Sequence, residues 1–212
     1  SPMESSLLIA PKDRCDVTYK PRDSQLNDCP DLPANAKCCA LPNLDTMNNT
    51  SALPTRFNVR AYFILFNEAK DAVLVSDELI FGNAYTKFPG GGVDFGEGPA
   101  DTVVREAMEE MKQPIEVTGH FYTTDFYLQS FFHPADQIIS IYYTARMMGE
   151  QQFTAAHIAF DFKQRIYNEE SFRWVKLSSI REDMFHFAAD KKVATLLATN
   201  YSNRKGAESA KH

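Results

Sequence analysis

Residues 91–110, GGVDFGEGPADTVVREAMEE, decide how this chain folds and what it can do. A loop of small residues, Phe88-Pro89-Gly90-Gly91-Gly92, runs toward Glu97, and Gly98-Pro99 then opens a helix. Proline suits a first helical position because the N–H it lacks has no intrahelical partner there. Val104, Ala107, Met108 and Met111 recur at helical spacing and predict the buried face. Glu106, Glu109 and Glu110 stand three and four residues apart, which makes them neighbours on a helix. Three carboxylates crowded in this way repel one another, so positive charge belongs among them. Arg105 reaches Glu109 one turn away, but one guanidinium does not neutralise three acids. A hard divalent cation does, since Mg²⁺ takes a few carboxylates together with waters and substrate phosphates. The glycines let the backbone approach such a ligand and offer it amide and carbonyl groups. A salt-bridged surface helix would also be Glu-rich, but it would need neither the loop nor the arginine.

The pattern resembles the signature of the Nudix hydrolases: Gly91, five residues, Glu97, seven residues, Arg105-Glu106, then Glu109-Glu110. Three positions depart from it. Ala107 is small where the family has a larger aliphatic, Lys112 replaces a helix-ending glycine, and Gln113 replaces a final aliphatic. A lysine kept in the left-handed cap costs about 1 kcal/mol. Further segments, TKFPGGGVDFGEGPAD, GHFYTTDF, DQIISIYY and ESFRWVKL, look like a bacterial-type subgroup without a settled substrate, over roughly Arg56 to Asn200.

The resemblance implies an α/β fold, an α/β/α sandwich around a mixed sheet. It implies Mg²⁺-dependent hydrolysis, with Mn²⁺ as a substitute, of a diphosphate bond in a nucleoside diphosphate linked to a moiety X. Nucleotide sugars, ADP-ribose and nucleoside triphosphates all fit that description. Glu106, Glu109 and Glu110 would surround the metal, with the Gly90 or Gly91 carbonyl. Arg105 would orient the glutamates, and Glu97 would support the site from the loop. Gly90, Gly91, Gly92, Lys87 and Tyr122 are the candidate substrate contacts. Glu169 and Glu170 could supply an acid outside the signature, although a loop charge is the plainer account of both. His133 and Asp136 read as a solvated loop before they read as a cover for the site, and Trp174 as core. The alternative reading is a catalytically weak module that senses a nucleotide.

The chain has 212 residues, and its hydrophobic content of 44% supports one domain with appendages. A net charge of −6 argues against a nucleic-acid partner, which needs clustered Lys and Arg. The apolar run Leu7-Leu8-Ile9-Ala10 is too short for a signal core or a membrane span, so a cytoplasmic location is expected. The small-molecule nucleotide is the expected partner, and a homodimer stays open. Ser1-Pro2 before Met3 reads as a cloning remnant.

Residues 1–53 carry all four cysteines, Cys15, Cys29, Cys38 and Cys39, and have no glycine. Free thiols in a loosely ordered extension are expected, since no histidine lies near to complete a zinc pattern. Residues 54–202 form the hydrolase domain and 203–212 a polar, frayed tail. Val59–Phe66 predicts a strand covered on both faces, and Asn67–Asp71 a turn that returns as a hairpin strand over Ala72–Val75. Asp77–Thr86 reads as an excursion, Ile115–Leu128 as a strand bent at Gly119, and Gln137–Met147 as another strand. Gln151–Asn168 has no period. Phe172–Leu177 is a short strand, and Ala189, Val193, Leu196 and Leu197 mark a final helix.

Overall fold

The computed structural model describes residues 53–209, with side chains to Ala207. The Cys- and Pro-rich segment and its cysteines lie outside the described residues. The elements in chain order are β1 (Arg56–Leu65), β2 (Ala72–Ile80), β3 (Asn83–Lys87), β4 (Gly90–Gly92) and α1 (Pro99–Met111). There follow β5 (Ile115–Thr123), β6 (Asp136–Met147), β7 (Ala155–Ala156), β8 (Glu170–Lys176) and α2 (Ala188–Ser209).

The β layer consists of two four-stranded sheets, one ordered β4-β1-β6-β5 and the other β3-β2-β8-β7. Both are mixed, with β1 parallel to β6 and β7 parallel to β8. Strand period explains the layers. On β1, Ala61, Phe63 and Leu65 join Val103, Ala107 and Met111 of α1 in one apolar cluster. Ile64 points the other way, into a second cluster with Val193, Ala194 and Leu197 of α2. Successive strand residues face opposite sides, so β1 is covered on both, and the expected α/β/α sandwich is present.

Three local expectations change. β1 and β2 are not a hairpin: they lie in different sheets and meet at one isolated bridge, Phe66 with Val73. The real hairpin is β2–β3, inside the stretch expected to be an excursion, and its register Ile80 opposite Asn83 leaves a two-residue turn. Phe81 and Gly82 both have positive φ there, 48° and 78°, the backbone that matches strand twist. A Phe-Gly pair is a weak turn signal, which is why the sequence hid it.

The buried face of α1 is also rotated. Thr102, Val103, Ala107 and Met111 are buried, whereas Val104 and Met108 are 37% and 40% exposed. On this rotated face Glu110, rather than Met108, points inward. Lys112 does keep the left-handed cap, at φ 56°, and its N–H returns to the Met108 carbonyl at 3.2 Å. Gln113 is fully buried: its amide donates to the Pro114 and Met148 carbonyls and its Oε1 accepts from Gln152 N at 2.8 Å. The departure from an aliphatic thus ties the end of α1 to the end of β6. At the other terminus α2 continues past Asn203 to Ser209.

Candidate active site

The site grows from the entry to α1. Gly98 is the N-cap, Pro99 follows it, and the Asp101 carboxylate accepts from Gly98 N at 3.1 Å. Glu97, just ahead, accepts from Asp94 N and from Thr102 Oγ1, both at 2.8 Å. Its main partner is Arg105, whose Nε and Nη2 donate to the two carboxylate oxygens at 3.0 and 2.7 Å. That hydrogen bonding holds the Glu97 pKa down at about 2. A planar fork meeting both oxygens fixes geometry as well as charge.

Arg105 is the hub. Its Nη1 donates to Glu106 at 2.9 Å and to Glu109 at 3.1 Å, and its Nη2 to the Gly92 carbonyl at 3.1 Å. One guanidinium therefore joins the loop before the helix, two helix glutamates and the backbone of β4. The Glu106 carboxylate lies against Gly91 so closely that a Cβ there would stand 2.3 Å from its Oε1.

Glu110 parts company with its neighbours. It turns inward, and burial, helped by the carboxylates of Glu170, Glu106 and Glu78 and opposed by Lys87, pushes its pKa up to about 8. Its Oε2 is a buried oxygen without a hydrogen-bond partner. The cation nearest it in chemistry is Lys87, whose Nζ donates to the Gly90 carbonyl at 3.3 Å and pairs with Glu78 at 3.2 Å and Glu170 at 3.4 Å. Lys87 is only 7% exposed. Burial alone would lower its pKa, but the carboxylates of Glu110, Glu170 and Glu78 together raise it, so the ammonium stays charged. Arg60 borders the same group of acids, donating to the Tyr62 hydroxyl at 2.7 Å, with Glu106 and Glu78 close enough to favour its charge.

Among the expected residues, the structure joins Glu97, Arg105, Glu106, Glu109 and Gly92 by direct bonds, and Gly90, Lys87 and Glu170 in a second group. The expected pair Glu169 and Glu170 divides. Glu169 accepts from the backbone of Lys163, Gln164 and Ile166 and so holds a loop, while Glu170 meets Lys87. Tyr122 donates to Asp125 and its ring lies 6.3 Å from that of Tyr142, and neither contact joins it to the Arg105 group. Asp136 is buried between Arg56 and Asn58, which joins the starts of β1 and β6 rather than covering a site. Trp174 stacks near Phe153 in the α1-side core, at 6.2 Å.

Glu78 and Arg60 were missed. Their signal was in the sequence: acids inside AVLVSDELI and a lone arginine inside VRAYFILF are charges within apolar strands, and such charges need partners. A cavity of about 1210 Å³ lies elsewhere, among Phe66, Phe121, Trp174, Leu197 and Tyr201, and touches none of these groups. The chemistry, not the size of the opening, marks the site.

A divalent cation is compatible with these residues. The donors are hard carboxylate and carbonyl oxygens, and one of them, Glu110 Oε2, is buried and unpartnered. Among the described residues no three His, Cys, Asp or Glu side chains converge as a ready ligand set; Arg105 and Lys87 hold them as ion pairs.

Residues 56–196 match the NUDIX domain, more than half of the chain, and the protein belongs to that family. It is thus a hydrolase acting on phosphorus-containing anhydrides, a pyrophosphatase of the nucleoside diphosphate–X type. Among solved structures it is similar to MutT from Aliivibrio salmonicida and Vibrio cholerae, with 21% identity and a TM-score of 0.46, over 69% of this chain and 99% of that one. It is similar to a NUDIX hydrolase from Nitrosomonas europaea at 14% identity and 0.49, over 70% and 90%. A UDP-X diphosphatase aligns at 14% identity and 0.47, over 76% and 70%. No curated protein sequence matches the chain. Among the described residues, no helix is long and apolar enough to cross a membrane.

Proposed function

We propose that the chain hydrolyses a diphosphate bond within a nucleoside diphosphate linked to a second moiety, with Mg²⁺ as cofactor and Mn²⁺ as its substitute. The observation that carries this reading is the unpartnered, buried Glu110 Oε2 beside an otherwise fully ion-paired glutamate helix. An oxygen that finds no donor inside the protein is costly to keep unless something else binds it.

Glu106, Glu109, Glu110 and the Gly90 carbonyl would hold the cation. A divalent cation held there would supply charge neutralisation for a diphosphate and a more acidic water. The chain's own residues supply the rest. Arg105 holds Glu106 and Glu109 in register, and Glu97 holds Arg105 from the loop. Gly90, Gly91 and Gly92 offer backbone groups to phosphate, and Gly91 leaves room for the Glu106 carboxylate where a Cβ would stand 2.3 Å from it. Lys87 acts from below as the counter-ion of Glu78 and Glu170 and as the anchor of the Gly90 carbonyl, rather than as an exposed phosphate contact. Glu170, raised in pKa chiefly by burial, is the acid outside the signature best placed to take a proton. Tyr122 reaches the cleft only through Tyr142 and Tyr62, which stack at 5.1 Å, and is the outermost candidate contact.

The test is a panel of nucleotide sugars, ADP-ribose, dinucleoside polyphosphates and nucleoside triphosphates, with and without Mg²⁺, products identified by mass. Turnover of at least one, lost on chelation and restored by Mg²⁺ or Mn²⁺, is expected. Binding of a panel member without any turnover in either metal would assign the chain to nucleotide sensing instead.

A further inference from the structure

A diphosphate brings negative charge toward Glu106, Glu109, Glu110, Glu78 and Glu170, which are acids already. A divalent cation held by three carboxylates has no surplus charge to attract it. The phosphate oxygens therefore need a further cation with donors to spare. Three cations near these acids have none. Arg105 spends all five N–H groups on Glu97, Glu106, Glu109 and the Gly92 carbonyl. Lys87 is enclosed by Glu78 at 3.2 Å, the Gly90 carbonyl at 3.3 Å and Glu170 at 3.4 Å. Arg173, three residues beyond Glu170 on β8, holds the Asp77 carboxylate with Nε at 2.7 Å and Nη2 at 3.2 Å.

Arg60 is different. It stands in β1 opposite Gly92 of β4, and β4 is the edge of that sheet. Its Nε donates to the Tyr62 hydroxyl at 2.7 Å, and its guanidinium carbon lies 5.7 Å from the centre of the Tyr62 ring. Tyr62 in turn stacks on Tyr142 at 5.1 Å, so one end of the guanidinium is held by a packed ring. The other end is not held. Neither Nη group has a hydrogen bond or ion pair within the described residues. Nor are they sealed: the sealed side-chain nitrogens and oxygens without a partner, among the described residues, are Ser76 Oγ and Glu110 Oε2. Nη1 lies 3.9 Å from the place a Cβ on Gly92 would occupy, which puts the free end over the glycine strand. Glu106 and Glu78 are near enough to favour the charge, yet neither pairs with it. An arginine kept only to balance those two acids would spend its donors on them. One that is oriented by a tyrosine and left with a free fork beside a glycine strand is set for an anion that comes and goes.

We propose that Arg60 binds the diphosphate of the substrate, with its two Nη groups on phosphate oxygens and its Nε fixed by Tyr62. This rests on the diphosphate-hydrolase reading and deepens it: Arg60 makes the phosphate contact that Lys87, enclosed by carboxylates, does not. Arg60 is no ligand for a divalent cation, so removing it separates the grip on the anion from the grip on the metal.

The experiment is calorimetric binding of methylenediphosphonate, a diphosphate analogue that water does not cleave, to the full chain with Mg²⁺ present, beside Mn²⁺ binding without the analogue. Arg60→Gln weakens the diphosphonate by about ten- to a hundredfold, the worth of hydrogen bonds to a charged group, and does not weaken Mn²⁺. Arg60→Lys, which keeps the charge but not the fork, loses most of the same affinity. If Arg60→Gln melts early, Arg60→Lys carries the test. A parent chain that does not bind the diphosphonate, or variants that bind it as the parent does, overturn the assignment. Equal weakening of Mn²⁺ and diphosphonate also overturns it, because Arg60 would then only support the glutamates. The analogue is not hydrolysed, so an Arg60-dependent affinity in a chain that turns over no substrate would sink the hydrolase and spare Arg60. Turnover with a diphosphonate affinity indifferent to Arg60 would do the reverse.

Discussion

The ammonium of Lys87 sits 3.2 Å from the Glu78 carboxylate, between two strands of one sheet and almost out of reach of water. Glu170 takes the other side at 3.4 Å, and the Gly90 carbonyl a third position at 3.3 Å. One buried cation thus balances acids from β2 and β8 beneath the glycine loop. Removing it strands buried charge. Lys87→Met is expected to lower unfolding free energy by about 3–5 kcal/mol, read from urea titrations. Mg²⁺ should restore more stability to this variant than to the parent, since a cation can take up part of the lost charge. A variant as stable as the parent would mean that Lys87 is not the counter-ion.

The three glycines of β4 differ in what a methyl group would meet, and they separate fold from chemistry. A Cβ at Gly90 would stand 2.3 Å from the Ala61 carbonyl, at φ 130°, where L residues are strained. A Cβ at Gly91 would meet the Glu106 carboxylate first, at 2.3 Å, and one at Gly92 nothing nearer than Arg60 at 3.9 Å. Gly90→Ala should therefore destabilise the fold. Gly91→Ala should keep the melting temperature but lower kcat by roughly 100-fold, because it displaces a carboxylate by about an ångström. Gly92→Ala should be close to neutral. Melting curves beside kcat for the three variants check the order, and equal effects from all three would contradict it.

Arg105 uses five donor contacts on three carboxylates and a carbonyl, and lysine has no such fork. Arg105→Lys should reduce kcat by at least roughly tenfold while Mn²⁺ affinity changes less, since the glutamates remain but lose their alignment. Mn²⁺ binding measured by electron paramagnetic resonance, beside kcat, separates the two. Small and equal losses would reduce Arg105 to a surface charge.

Asp190 is buried and accepts from the Tyr142 hydroxyl at 2.8 Å. Burial outweighs its hydrogen bonds and raises its pKa from 3.8 to about 7. Between those values the folded state holds a proton that the unfolded state has released. Stability from this group is therefore complete below the lower value and is lost as pH rises through the upper one. Asp190→Asn keeps an acceptor without the charge. Its melting temperature should gain on the parent as pH goes from acid to neutral, and a difference that stays constant with pH would refute the assignment.

Much of the site was legible because its spacing is local. Gly91, Glu97, Arg105, Glu106 and Glu109 lie within one loop and one helix: helical spacing made Arg105, Glu106 and Glu109 neighbours, and the resemblance to the Nudix signature added Gly91 and Glu97. The burial of Glu110 was not legible in the same way. Helical spacing places it beside Glu106 and Glu109 but does not say which side of α1 meets the sheet. The pattern also fits Val104 and Met108 as core, and they are exposed. The cation whose charge acts on the inward-facing Glu110 is Lys87, on a strand that no local pattern connects to the helix. The β2–β3 hairpin was hidden for a related reason: Phe81-Gly82 carries a turn with one residue of the usual pair, and the acids Asp77 and Glu78 look like loop residues until Arg173 and Lys87 are seen to pair with them. Long-range pairing of charge is what a single sequence conceals.

The central claim is that water attacks phosphorus within a diphosphate, and hydrolysis in ¹⁸O-water tests it most directly. Any substrate the chain cleaves with Mg²⁺ should give two phosphate-bearing products, with one ¹⁸O atom on the phosphate of one of them. Glu109→Gln should slow that reaction severely without moving the label. Release of a free sugar or base with an unlabelled diphosphate product would place the cleavage at carbon. Glu106, Glu109, Glu110 and Arg105 have no means to promote that reaction, and the account would be wrong even if Mg²⁺ proved essential.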